Sequence, residues 1–97
     1  MTNTQYSHDT YIANVRYVQI KVGVYSLNIT LKNDLGVVKK YKTTTTDLYL
    51  IDDMRDNDDD IKWGARQRAI ELVCKKNQLP VLFYHRDNAT IQVSLDV

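Results

Sequence analysis

The sequence predicts an α+β fold of two layers, a mainly antiparallel sheet of about five strands packed against one amphipathic helix in the order β-β-β-α-β-β. Three observations predict it. Several short stretches rich in valine, isoleucine, threonine and tyrosine alternate apolar and polar residues. A single stretch, Asp60 to about Asn77, repeats its apolar residues at the helical period instead. Turn-forming residues separate the stretches: Gly23, Asn33-Asp34-Leu35-Gly36, Asn77-Gln78-Leu79-Pro80 and Arg86-Asp87-Asn88. One helix of this length covers one face of such a sheet. The other face is left open, and function can sit there.

The elements follow in order. Residues 1–11 are polar and lack apolar periodicity, so they are expected to form a flexible tail ahead of a single domain at 12–97. Val15 to Val24 reads as a strand, with Val18, Ile20, Val22 and Val24 on one face and Gln19 and Lys21 on the other. The apolar parity then flips to Tyr25, Leu27, Ile29 and Leu31, which requires a bulge or tight turn, and Gly23 is its natural place. Val37 to Thr46 returns as a third strand whose Lys39, Lys40 and Lys42 suit a sheet edge. The segment 47–54 fits either a strand extension or a short helix capped by Thr46 or Asp47. In the long helix Asp60 is the expected N-cap, and Lys75 and Lys76 complement the negative end of the dipole. Its buried stripe is Ile61, Ala65, Ala69, Leu72 and Val73, widened by Trp63, Ile70 and Cys74. Pro80 stops it, and strands at Val81–His85 and Thr90–Val97 complete the chain.

Length and composition narrow the function classes. Ninety-seven residues make one domain with one modest core. A formal charge of +1 argues against a general polyanion binder. The single cysteine, Cys74, rules out an intrachain disulfide, and no apolar run approaches the roughly 20 residues of a membrane span. The expected setting is therefore soluble and cytoplasmic. Two glycosylation sequons, at Asn28 and Asn88, carry no meaning there.

Catalytic patterns are missing. The glycines at 23, 36 and 64 cannot build a phosphate loop, and there is no H-E-x-x-H, C-x-x-C or nucleophile elbow. A Tyr84-His85-Asp87 acid–base site can be drawn but has nothing to recommend it beyond proximity in sequence. No cofactor and no metal is expected. An EF-hand started at Asp56 has isoleucine where glycine is needed and glutamine at the twelfth position.

Charge distribution is the remaining signal. Six of the nine residues from Asp52 to Asp60 are aspartates, half of all the acids in the chain. Concentrated carboxylates next to an aromatic make a contact patch, so the leading expectation is a small non-enzymatic protein that docks on a larger protein partner. It would be a regulator or inhibitor of the phage-accessory type. Its contact residues would be Tyr49, Asp52, Asp53, Asp56, Asp58 and Asp59, with the open sheet face as a further surface. Charge reversal at Asp52, Asp53, Asp56 and Asp58 is then expected to weaken capture and leave the melting temperature nearly unchanged. A second reading is a nucleic-acid-binding module using Lys39, Lys40, Lys42, Arg68 and Lys75, opposed by the nearby aspartates. A third is a self-assembling subunit in which the lysines of one copy meet the aspartates of another. Seven tyrosines against one phenylalanine suit half-exposed positions at an interface or at the rim of the core.

Overall fold

In the computed structural model, residues 8–87 and 89–96 are described. The expectations for residues 1–7, Asn88 and Val97 lie outside them. Five strands, β1 (His8–Lys21), β2 (Val24–Lys32), β3 (Val38–Thr45), β4 (Val81–Asp87) and β5 (Thr90–Asp96), form one antiparallel sheet in the order β3-β2-β1-β5-β4. Two helices, α1 (Leu48–Met54) and α2 (Asp59–Lys76), lie between β3 and β4 in the chain and carry it from one sheet edge to the other. This is the α+β class expected from the sequence, and the segment 47–54 resolves as a helix.

The strand β1 is the shared axis of the sheet. Its first half, His8 to Ala13, pairs with β5, and its second, Ile12 to Lys21, pairs with β2. The sheet is therefore stepped, with β1, β2 and β3 running on past the end of β5. Side chains alternate across each strand. Odd-numbered Tyr11, Ala13 and Val15 of β1, Leu27, Ile29 and Leu31 of β2, and Ile91, Val93 and Leu95 of β5 all face the helices. Leu50, Ile51 and Met54 of α1 and Ala65, Ala69, Ile70, Val73 and Cys74 of α2 close over them as one core.

Local chemistry fixes the ends of the elements. The hairpin β1–β2 turns at Val22-Gly23, where Gly23 takes φ 79°, with a bulge between Gln19 and Lys21; the parity change read from the sequence arises because even-numbered Val18 lies on the open face while odd-numbered Leu27, Ile29 and Leu31 line the core. In the β2–β3 turn the Asn33 side chain accepts from Leu35 and Val37 N–H, and Gly36 takes φ 82°. Asp47 caps α1 through the Leu50 N–H. At the end of α2, Asn77 donates its amide to the carbonyls of Val73 and Lys42, which ties the helix terminus to β3.

Three expectations are corrected. Residues His8 to Tyr11 belong to β1 and not to a tail, because Tyr11 is 1% exposed in the core and its hydroxyl donates to Asp9. The N-cap of α2 is Asp58, two residues earlier than Asp60: its carboxylate accepts from both Asp60 and Ile61 N–H. Ile61 sits in the first turn and is exposed rather than buried. The faces of β1, unassigned from the sequence, resolve with Tyr11, Ala13 and Val15 toward the helices and with Val18, Ile20 and Val22 exposed.

Candidate functional site

The aspartate-rich stretch is largely engaged within the molecule. Asp52 pairs with Arg55 at 3.2 Å and Asp53 with Arg68 at 3.2 Å, and all four side chains are substantially exposed. Asp56 accepts from the Asp58 N–H at 2.8 Å, and Asp58 caps α2. Asp52 and Asp53 are residues of α1, so the linker between the helices is short. Asp59 and Asp60 occupy the first turn of α2, where negative charge meets the positive end of the dipole. Tyr49 stands apart on α1, 84% exposed. The six residues expected as a contact patch thus share one end of the helical layer, but only Tyr49 and Asp59 have no role in the structure's own bonding. In particular, Asp58 cannot be reversed in charge without removing a helix cap, which corrects the expectation of an unchanged melting temperature.

The cations expected to bind nucleic acid do not converge. Lys40 and Lys42 point to the open face of the sheet. Lys39, one residue out of phase, points to the helical side, and its ammonium lies 5.6 Å from the centre of the Tyr11 ring. Arg68 is the partner of Asp53, and Lys75 is exposed in the last turn of α2. Arg66 is held too: its Nε donates to the Met54 carbonyl and its guanidinium lies 4.9 Å from the Trp63 ring.

The open face of the sheet brings together a different set. Across the strands, Lys42 stands opposite Asn28 and Asn28 opposite Arg16; in the next row, Lys40 stands opposite Thr30 and Thr30 opposite Asn14; then Lys32 stands opposite Ile12. Arg16, Lys32, Lys40 and Lys42 are all exposed, and neither the Asp52–Arg55 nor the Asp53–Arg68 pair involves them. Arg16, Asn28, Thr30, Lys40 and Lys42 line an open depression of about 420 Å³. From Thr10 to Val18 on β1, and along the same face of β2 and β3, no residue is acidic. This part of the sheet face thus carries cations, with Asp34 of the β2–β3 turn beside Lys32 and Asn14 at its end, while six aspartates lie on the helices and the linker between them. Sequence reasoning missed Arg16, Lys32, Asn14 and Asn28. No local signal gives them: the turn at Val22-Gly23 alone would set Arg16 opposite Ile29, and the bulge between Gln19 and Lys21 shifts it to Asn28.

Beyond Arg16 the same face turns apolar. Val18 and Ile20 are 54% and 56% exposed, and Val22 at the turn is 93% exposed. On the other side of this hairpin, Tyr17 and Tyr25 meet edge to face at 6.3 Å and pack against the core, with Arg55 5.9 Å from the Tyr17 ring. Tyr41 and Tyr84 also line the rim of the core. The tyrosine excess is thus mostly a rim feature.

Acid–base chemistry finds no constellation among the described residues. Tyr84 stands opposite Val93, on the core side, while His85 stands opposite Gln92 on the open face, so the two cannot act together. Tyr84 instead hydrogen-bonds to the buried thiol of Cys74. Burial, then the Cys74 neighbour, pushes the phenol well above its ordinary range, and burial pushes the Cys74 thiol up. Both groups stay protonated at neutral pH. No group of three or more histidine, cysteine or carboxylate side chains able to hold a metal occurs among the described residues, and no helix is long and apolar enough to cross a membrane.

Compared with family models, with curated proteins and with solved structures, the chain finds no match.

Proposed function

We propose that this is a non-enzymatic binding module that docks on a larger protein partner, and that the outer part of the β1–β2 hairpin is its main contact. The observation that carries the reading is the uncovered aliphatic group Val18, Ile20 and Val22, exposed on a strand that buries Tyr11, Ala13 and Val15 farther back. A small domain rarely leaves neighbouring apolar side chains uncovered unless another surface covers them. Arg16 borders the group on the same face, and arginine beside an apolar centre is a common composition for protein contacts. The helix-end group of Tyr49 and Asp59, with Leu48 also exposed, is a smaller candidate because its other carboxylates already hold α1 and α2 in place.

The test is comparative affinity capture from an extract of the producing cell, read by quantitative mass spectrometry. The bait is wild type, Val18→Ser with Ile20→Ser, or Tyr49→Ala. The reading expects the hairpin variant to lose at least about tenfold of specific capture, the consequence of removing roughly 1.4 kcal/mol of contact, while Tyr49→Ala retains it. Capture unchanged by the hairpin variant and lost with Tyr49→Ala would move the contact to the helix end.

A further inference from the structure

We infer that the open face of the β1–β2–β3 half-sheet is a sequence-independent binding site for the phosphate backbone of a nucleic-acid duplex, with Arg16, Lys32, Lys40 and Lys42 as its phosphate contacts. The inference goes beyond the docking reading and rests on other residues, the cationic rows rather than the aliphatic hairpin end.

Charge complementarity is the first argument. The four cations share one face, stand in successive cross-strand rows and are exposed. Strands lie about 4.8 Å apart, which puts the β3 lysines about 10 Å from Arg16 across the sheet, within the reach of one run of phosphates. The chain's small net charge conceals this local excess: seven of its twelve acids lie between Asp52 and Glu71, on the helices and their linker, and of the rest Asp34 lies beside Lys32. The aspartates that oppose a phosphate backbone in the sequence are, in the fold, on α1, the linker after it and the start of α2, with the sheet in between.

The second argument is the company the cations keep. Asn28 stands in the row of Arg16 and Lys42, Asn14 and Thr30 stand in the row of Lys40, and Ser26 and Thr44 stand in the next row beside Val18. Amides and hydroxyls of this kind supply the neutral hydrogen bonds that fix a phosphate backbone in register. The third is what the rows lack. No aromatic side chain on the open face of β1, β2 or β3 offers a platform on which an unpaired base could stack; Tyr17, Tyr25 and Tyr41 are on the helical side. Single strands depend on such stacking. Without it the face draws on charge density alone, and a duplex has more of it.

The experiment is fluorescence anisotropy with a labelled 20-base-pair DNA duplex and with one of its strands, titrated from 50 to 200 mM salt. Four phosphate contacts give a slope of log K against log salt near −3.6, a weakening of about 150-fold over that range. Lys40→Gln with Lys42→Gln halves the contacts, so the slope falls to about −1.8 and the weakening to about 12-fold. Lys75→Gln with Lys76→Gln makes the same change in net charge on α2 and is expected to leave the slope as in wild type. All four lysines are exposed, so both variants stay folded, checked by their melting curves. The Val18→Ser, Ile20→Ser variant is expected to bind duplex as wild type does, which separates this inference from the docking reading.

Four results would overturn it, the last of them by refuting the duplex assignment. One is no duplex binding at 50 mM salt. Another is an equal effect of the two double-lysine variants, which reduces the binding to net charge. The third is competition by polyglutamate as effective, charge for charge, as unlabelled duplex, which assigns the face to an acidic protein. Tenfold preference for the single strand refutes the duplex assignment.

Discussion

Asp58 separates a structural from a surface role for the acidic stretch. Its carboxylate accepts from Asp60 N–H at 2.9 Å and Ile61 N–H at 3.2 Å, and α2 carries five residues of the core: Ala65, Ala69, Ile70, Val73 and Cys74. Removing an aspartate cap by Asp58→Ala costs about 1 kcal/mol, within a range of roughly 0.5–2. Loss of negative charge at the helix N-terminus adds about 0.3–1 kcal/mol at low salt. Together they come to about 1.5 kcal/mol, and in a domain of this size each kcal/mol lowers the melting temperature by roughly 4–8 °C. The expected fall is therefore about 6–12 °C. Asp59→Ala, in the first turn without a side-chain bond, loses only the charge contribution and should fall by a few degrees at most. Asp58→Asn keeps the cap and recovers most of the loss. Thermal and urea melts followed by circular dichroism measure all three. If Asp58→Ala and Asp59→Ala melt together within a degree, the cap is not what Asp58 provides, and the engagement of the acidic stretch in the fold is refuted.

Three further outcomes are expected. Ile70→Ala, at a fully buried position of α2, should destabilise the protein by roughly 2–5 kcal/mol in urea melts; a loss under 1 kcal/mol would mean that the helical layer is not firmly packed on the sheet. Gly23→Ala should cost about 1–2 kcal/mol although nothing lies within 4 Å of the added carbon, because φ 79° itself is unfavourable for an L-residue. Alkaline pH should destabilise the protein: the buried Cys74 thiol and Tyr84 phenol have raised pKa values, so the unfolded chain releases their protons first, stability is full below the ordinary thiol value of 9.0, and it declines as pH rises above it. Cys74→Ala should flatten the thiol part of that decline in urea melts between pH 8 and 10, and an unchanged slope would show that the thiol does not contribute.

Much of the fold was legible because its signals are local. The odd-parity residues Leu27, Ile29 and Leu31, the stripe of Ala65, Ala69 and Val73, and the turns at Gly23 and Gly36 all follow from short-range rules. The faces of β1 were harder. Val18, Ile20 and Val22 have the composition of a core strand, yet Val18 lies on the face that no helix covers and Val22 in the turn, and no local rule states which face of a strand the helices will cover. Tyr11 escaped for a related reason: its burial depends on pairing with Val93, far away in the chain. The candidate site was half legible. Lys40 and Lys42 stand out in the sequence, but their neighbours Arg16 and Lys32 join them only through the register of three strands. The aspartates were conspicuous for a local cause, the need to cap α2 through Asp58 and to pair Arg55 and Arg68. Composition alone does not separate that need from a docking patch.

The account as a whole claims that the bare sheet face works and the acidic helix end holds the fold. Lysine-reactive footprinting tests this most directly, comparing the protein in buffer with the protein in an extract of the producing cell, residue by residue. Protection of Lys32, Lys40 and Lys42, with Lys75 and Lys76 labelled as in buffer, is the result the account predicts. Protection confined to Lys62, Lys75 and Lys76, with the sheet lysines unchanged, would contradict it.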